Sequence, residues 1–410
     1  MGHLTFRWIC CQIGSREHYA VPRALNRAGA LQELLTDTWV GPASVGAVVG
    51  GRRLAGRYHP DLQTARVWAP NLSALRFEAT QRLAVATGWE RMLKRNEWFQ
   101  ARALSRLRTL ASAHPGLPLC LFAYSYAARH LFAFAKSQGW MTVLGQIDPG
   151  PPEERVVRRL HAEHPDLATA WEGAPMSYWR DWSEEWHLAD RVVVNSEWSR
   201  SAMLEEGVPA SILRVVPLAY EPDAAANASR EWPDRFADDR LLRVLFLGQV
   251  NLRKGMAETI DAMRLLREDP VQFTIVGPVQ MNVPDDVRRC PRVRWIGSVA
   301  PGEAGHHYDQ ADVFLIPTHS DGFALTQLEA QARRLPVIAS RFCGTVVADG
   351  VNGITLPVVS GAAIAAAIRG LLQSPLTLRA MSDRSRVADV FGLGSVGARL
   401  LEVIREEPAA

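Results

Sequence analysis

Asp321-Gly322-Phe323-Ala324-Leu325-Thr326-Gln327-Leu328-Glu329 sets one acidic residue just ahead of a helix and a second one two turns into it. Leu325, Leu328, Ala332 and Leu335 recur at helical spacing and Asp321-Gly322 reads as a loop or cap signal, so the pattern predicts a helix from about Phe323. A helix start offers unpaired backbone N–H groups and the positive end of the helix dipole, and so accepts a diphosphate without a side-chain cation. Carboxylates are poor phosphate ligands and good acceptors for paired hydroxyls. Asp321 and Glu329 on either side of a phosphate site therefore point to a ligand with sugars flanking a diphosphate, which describes a nucleotide-sugar.

On both sides of this stretch, short apolar runs alternate with amphipathic ones, the rhythm of a parallel sheet wound by helices. Strands are predicted at 4–10, 118–122, 142–147 and 191–194, with helical stretches at 82–94 and 101–113. Residues 221–239 carry two prolines and many small or acidic residues and break the rhythm, which restarts with strands at 242–247, 272–276, 313–316 and 337–339. The expected organisation is α/β: a Rossmann-like domain over 1–220, a linker at 221–240, a second Rossmann-like domain over 241–390, and a final helix in 391–410, expected near 396–406. Ligands of open α/β sheets bind beyond the carboxyl ends of the strands, so the loops after Leu247, Val276, Ile316 and Ala339 should share one edge, with Lys254, Pro278 and Asp321 on it.

Arg253-Lys254-Gly255 follows one of these strands and precedes the helical run 256–266. Gly255 lets the backbone turn closely, and two cations in an exposed loop can reach a phosphate; a solvated basic loop is the other reading. Asp321 is also a favoured helix N-cap residue, and Glu329 also suits a helix surface. In the first half, Ile13-Gly14-Ser15-Arg16-Glu17-His18 follows the opening strand, but a lone glycine is a weak phosphate signal. Asp148-Pro149-Gly150 reads equally as a turn and as a site carboxylate. Trp179, Trp182 and Trp186 fall on one helical face and read as packing. His161 and His164 with Glu163, and the pair His306-His307, lack an identifiable third ligand, so no metal site is expected.

Residues 321–340 (DGFALTQLEAQARRLPVIAS) resemble the pattern E-G-F-G-L-x-x-L-E-A-x-A-x-G-x-P-V-I-A-S of the retaining glycosyltransferases of family 4, which have the two-domain GT-B fold. Residues 244–255 (VLFLGQVNLRKG) are similar to the family's strand, glycine, loop and Arg-Lys-Gly, and 189–199 (ADRVVVNSEWS) running to Val216-Pro217-Leu218 is similar to a third segment. Together they cover most of 189–356 in the family's order. The chain departs from the pattern at Asp321, usually Glu, and at Gln249, where many members carry an Arg on the donor phosphate. It also lacks the Pro-Glu often found before Asp349-Gly350.

The resemblance implies a retaining transfer of a hexose from a nucleoside diphosphate sugar to a hydroxyl of a glycan, a lipid-linked or a small acceptor. It places Arg253 and Lys254 on the donor diphosphate beside Gln249, Glu329 on the ribose, and Asp321 on the transferred sugar. Phe323, Ala324 and Leu325 would offer backbone N–H groups, and Pro278, Ser298 and Val299 would lie near the base. Gly14 would approach the donor phosphate from the first domain, and Asp148 would stand near the reacting sugar. No cofactor and no metal are expected, the donor being a co-substrate; the chain has no Asp-x-Asp. A nucleotide-sugar-binding protein without transferase activity, or an epimerase of the same fold, are the alternatives.

At 410 residues the chain suits two domains, and its 48% hydrophobic and 22% charged residues are those of a globular protein. A net charge of +3 argues against a nucleic-acid partner, while Arg-rich patches leave room for peripheral contact with anionic lipid. Cys10, Cys11, Cys120, Cys290 and Cys343 lack metal-ligand spacing and read as reduced thiols of a cytoplasmic protein, with attachment to the inner face of the membrane left open. No apolar run reaches the roughly 18 to 20 residues of a membrane span, and no signal peptide is expected. Asn227-Ala228-Ser229 reads as a chance linker tripeptide.

Overall fold

The computed structural model describes residues 6–41, 56–83, 88–222 and 230–405. Two parallel sheets organise them. The first comprises β1 (Arg7–Gln12), β2 (Leu31–Thr36), β3 (Val67–Trp68), β4 (Leu119–Tyr124), β5 (Met141–Gly145), β6 (Arg191–Val194) and β7 (Leu213–Val215), in the order β3-β2-β1-β4-β5-β6-β7. The second comprises β8 (Leu242–Leu247), β9 (Val271–Val276), β10 (Val293–Gly297), β11 (Val313–Ile316), β12 (Val337–Ala339) and β13 (Gly353–Thr355), in the order β10-β9-β8-β11-β12-β13. β4, β6 and β11 are buried along their whole length, as strands covered by helices on both faces must be, and their sequences are accordingly apolar but for Arg191.

Strand order reverses between β1 and β4 in the first sheet and between β8 and β11 in the second. At such a switch point the loops leave in opposite directions and open a crevice. Residues 248–255 and 317–325 line the crevice of the second sheet. Gly255 makes it possible: its φ is +75°, and a Cβ there would stand 2.0 Å from the Pro317 carbonyl oxygen.

The two helical stretches predicted at 82–94 and 101–113 belong to one helix, Gly88–Ala113, preceded by a separate helix, Asn71–Leu83; residues 84–87 lie outside the described residues. The polar stretch around Asn96 to Arg102 is no break, because Phe99, Ala103, Leu107 and Leu110 carry the buried stripe through it. β1 begins at Arg7, later than the sequence pattern suggested, and β2, β3, β7, β10 and β13 are strands that the pattern did not single out. Of the expected linker, residues 223–229 lie outside the described residues, the Asn227 tripeptide with them. Cys10, Cys11, Cys120 and Cys343 are buried and all five thiols are free. Among the described residues, no helix is long and apolar enough to cross a membrane.

The final helix, Leu393–Val403, lies against Ala20–Arg27 of the first domain, where Leu393, Val396, Leu400 and Val403 join Trp8, Ala24 and Leu25 in one apolar cluster. Helix Pro151–Glu163 makes the opposite crossing. It belongs to the first domain, yet Leu160 is buried among Leu252, Met256 and Ile260 of the second.

A Gly255→Ala variant would take on both a strained left-handed φ, about 1 kcal/mol, and a backbone clash that must shift a loop. We expect a loss of at least about 2 kcal/mol in denaturant unfolding; a variant as stable as the parent would contradict the close approach to Pro317.

Candidate functional site

A cleft of about 930 Å³ lies between the domains at the second sheet's switch point. Gln249, Pro278, Ser298, Val299, Leu325 and Glu329 line it from the second domain, and Glu17, His18, Arg23 and Asp61 from the first. Six of the residues singled out in the sequence thus share one wall.

Helix Thr326–Ala332 begins three residues later than predicted, with Leu325 as its cap residue. The cause is Ala324, held at φ +62°. Asp321 does not cap this helix. Its Oδ1 accepts the backbone N–H groups of Phe323 at 3.1 Å and Ala324 at 2.8 Å, folding the loop on itself. The expectation that Phe323, Ala324 and Leu325 all present free N–H groups is therefore corrected: of the three, only the Leu325 N–H makes no hydrogen bond within the described residues. Glu329 stands in the first turn of the short helix, not two turns in, and accepts the Tyr308 hydroxyl at 2.8 Å. Burial raises its carboxyl above the ordinary range, and the Tyr308 hydrogen bond opposes the rise.

Below this wall lies a charged cluster. Lys254 Nζ is ion-paired with Asp321 Oδ2. Arg253 Nη1 donates to the Ser320 carbonyl at 2.7 Å and to Glu153 Oε2 at 3.3 Å, and Ser320 Oγ donates to the same Glu153 oxygen at 2.8 Å. The loop is not exposed as expected, because helix Pro151–Glu163 covers it; the Lys254 side chain keeps 13% of its exposure. Burial, with Arg253 beside it, pulls the Lys254 ammonium down to about 7 against the opposing pull of Glu153. Contact with Asp321 acts in the opposite direction, favouring the charged form.

Asp148 adjoins this cluster from the first domain. Its Oδ1 accepts the Tyr126 hydroxyl at 2.5 Å and the Gly150 N–H at 2.9 Å, and burial raises its carboxyl above the usual range. Tyr126 is itself in the left-handed region, at φ +74°. The Glu185 carboxylate keeps it there by accepting the N–H groups of Tyr126, Ala128 and Arg129 at 2.6, 2.7 and 3.3 Å. Asp148 also lines a separate cavity of about 360 Å³ with Trp89, Met92, Arg95, Asn96 and Tyr178.

Gly14 does not line the cleft, contrary to expectation. Its N–H donates to Asp37 Oδ1 at 2.8 Å, and Asp37 is also bound by Arg57 and Arg95. The first domain approaches the cleft instead through Glu17 and His18, which with the buried Tyr19 are three consecutive non-glycine residues at φ +50°, +51° and +61°. A left-handed turn costs roughly 1–2 kcal/mol per L-residue, and such strain gathers at functional sites. Burial raises the Glu17 carboxyl to about 7, with Arg16 and the Tyr124 hydroxyl opposing.

Sequence reading missed Glu153, Tyr126, Tyr308 and the strained Glu17 turn. Glu153 sits at an ordinary Pro-initiated helix start, and nothing in its neighbours marks it for a partner 100 residues away. Trp182 and Trp186 are core, and Trp179 donates to Glu154 Oε2 at 2.8 Å. Among the described residues no three His, Cys, Asp or Glu stand together as a metal-holding group.

Residues 242–374 match the Glycosyl transferases group 1 family. The match lies wholly within the second domain. Among curated relatives, D-inositol 3-phosphate glycosyltransferase of Kineococcus radiotolerans is 32% identical over 250 residues, 53% of this chain and 57% of the relative. Glycogen synthase of Mycobacterium tuberculosis is 30% identical over 171 residues, 39% of this chain and 41% of the relative. The chain thus spans about half the length of the curated relatives it matches. In fold, the two domains together follow GT-B structures. Sucrose-phosphate synthase from Thermosynechococcus elongatus superposes with a TM-score of 0.63 at 18% identity over 98% of both chains. Anabaena HepE in complex with UDP superposes with a TM-score of 0.60 at 13% identity over 98% of this chain and 99% of the other.

The Lys254–Asp321 arrangement can be checked by titration. In ¹³C NMR of labelled lysine side chains we expect Lys254 to titrate near 7, and Asp321→Asn to move it lower still, since the ammonium loses its carboxylate. A Lys254 that titrates alike in the parent protein and in Asp321→Asn would contradict the pairing.

Proposed function

We propose that the protein is a glycosyltransferase that moves a hexose from a nucleoside diphosphate sugar to a hydroxyl acceptor, with retention of anomeric configuration and without a metal ion. The observation that carries this reading is the pairing of a hydroxyl-binding carboxylate, Glu329, on the cleft wall with the buried Arg253 and Lys254 cations beyond it. The match of residues 242–374 and the solved structures of the same fold, one of them holding UDP, support it.

In this reading the base lies against Pro278, Ser298 and Val299, the ribose on Glu329, and the diphosphate between Gln249, the Leu325 N–H and the two cations. The acceptor enters the cavity of about 360 Å³, whose aromatic side chains Trp89, Tyr126 and Tyr178 suit the face of a sugar ring. The bond between the sugar C1 and the phosphate oxygen breaks, and the acceptor oxygen bonds to C1 on the face the phosphate leaves. Its proton passes to the departing phosphate oxygen, so no enzyme nucleophile is required. Negative charge grows on the diphosphate during this step, and preorganised cations in a dry site stabilise it where water could not. Asp321 then has two tasks: it keeps Lys254 protonated, and it stands beside the transferred hexose. Asp148, held by Tyr126, takes the opposite side of the sugar.

Two measurements follow. Glu329→Ala should weaken binding of a nucleoside diphosphate by about 10- to 150-fold, the equivalent of roughly 1.5–3 kcal/mol for hydrogen bonds to a charged group; an unchanged dissociation constant in calorimetry would contradict the ribose assignment. Product formed from a panel of nucleotide-sugars in the presence of a chelator should carry the donor's anomeric configuration by NMR. An inverted product, or activity abolished by chelation and restored by Mg²⁺ or Mn²⁺, would overturn the mechanism, and failure to turn over any donor would leave a binding protein.

A further inference from the structure

Helix Asn71–Leu83 has apolar side chains on two faces, and only one of them is used. Ala74 and Gln81 are buried and Phe77 stacks on Trp98 of the next helix, with ring centroids 5.1 Å apart. On the far side Leu72, Leu75, Ala79 and Leu83 form a second stripe at helical spacing that faces outward. The three leucines are 76, 70 and 84% exposed, among the most exposed large apolar side chains of the described residues. Burial of a helix needs one stripe, and a second one open to water is unfavourable unless something covers it.

Arginines bracket this stripe. Arg76 flanks it on one side and Arg82 on the other; both are exposed, and neither makes an ion pair or hydrogen bond among the described residues. Nearby cations elsewhere on the hairpin are neutralised, Arg91 by Glu78 and Lys94 by Glu90. Residues 71–113 hold eight Arg and Lys against three Glu, in a chain whose net charge is only +3, so the remainder of the protein is slightly negative. An apolar stripe flanked by unpaired arginines on a locally basic hairpin is the pattern of a helix lying in the interface of an anionic bilayer, leucines toward the acyl chains and guanidinium groups at the phosphates. A nucleic acid would need the arginines without the leucines. A second copy of this chain would meet the same positive face and be repelled.

We propose that helix Asn71–Leu83 docks the protein on the surface of an anionic membrane. The docking helix packs on Gly88–Ala113, whose Trp89, Met92, Arg95 and Asn96 wall the cavity of about 360 Å³. Attachment there would set that cavity beside the lipid headgroups, where an acceptor carried on a lipid is found. The docking itself stands independently of the transfer chemistry.

Flotation of the full chain with vesicles of phosphatidylcholine alone, or with 30 mol% phosphatidylglycerol (about that share), tests it. We expect binding to the anionic vesicles at least about tenfold tighter than to neutral ones, weakened by high salt. Arg76→Gln with Arg82→Gln should lower it by about 30-fold, and Leu72→Gln, Leu75→Gln and Leu83→Gln together should abolish it. Thermal melting and nucleoside diphosphate binding should stay as in the parent for both variants, since these side chains are exposed and lie outside the cleft. Equal affinity for the two vesicles, or none for either, would overturn the proposal. So would a leucine variant that still binds like the parent, which reports adsorption by charge alone, or a self-association that the leucine variant abolishes while vesicle binding is absent, which assigns the stripe to a second copy.

Discussion

The structure turns on the contact that Gly322 makes with the first domain. Its carbonyl oxygen accepts Ser196 Oγ at 2.6 Å and Ser199 Oγ at 3.3 Å, while a Cβ at this position would stand 2.6 Å from the Ile147 carbonyl and 3.0 Å from the Asn195 amide. No side chain fits. The neighbouring residues depend on this approach. Trp198 Nε1 donates to Ser320 Oγ at 3.1 Å, and that hydroxyl donates in turn to Glu153, so the loop carrying Asp321 is held from the first domain on either side of it, at Ser320 and at Gly322. The glycine that reads as a turn signal in the sequence is the place where two domains meet.

From that contact the charge arrangement follows. A lysine in a buried crevice loses hydration and is repelled by the arginine beside it, which is why Lys254 is pulled down to about 7. They persist because each has a carboxylate: Asp321 of the same domain for Lys254, and Glu153 of the other domain for Arg253. Glu153 gains from the exchange as well, since burial alone pushes its carboxyl up and Arg253 is the main opposing influence. Neither domain alone holds both pairs, so closure and electrostatics are a single property.

The first domain contributes strain where the second contributes charge. Glu17 to Tyr19 and Tyr126 are held in left-handed backbone, Tyr126 by the three N–H groups that Glu185 accepts. A rigid arrangement of this kind places side chains at the cleft without waiting for a ligand to order them, and Tyr126 fixes Asp148 in this way.

The sequence by itself determined the class of the fold and the residues of the second domain's cleft wall. Both are written in local chemistry. Strands such as 191–194, 242–247 and 313–316 are apolar but for Arg191 and Arg243 because they are covered by helices, and the loop positions of Gln249, Pro278 and Ser298 follow from where the strands of the second sheet end. Tertiary structure alone decided what those residues meet. Phe323 and Ala324 give their N–H groups to Asp321, Gly14 gives its N–H to Asp37, and Lys254 lies under a helix from the other domain, although its sequence suggests an exposed loop. The physical reason is range: periodicity and capping act over one or two turns of chain, whereas the partners of Lys254, Arg253 and Gly322 lie between 67 and 126 residues away and are chosen by strand order within the second sheet, for Lys254, and by how the two domains pack, for Arg253 and Gly322.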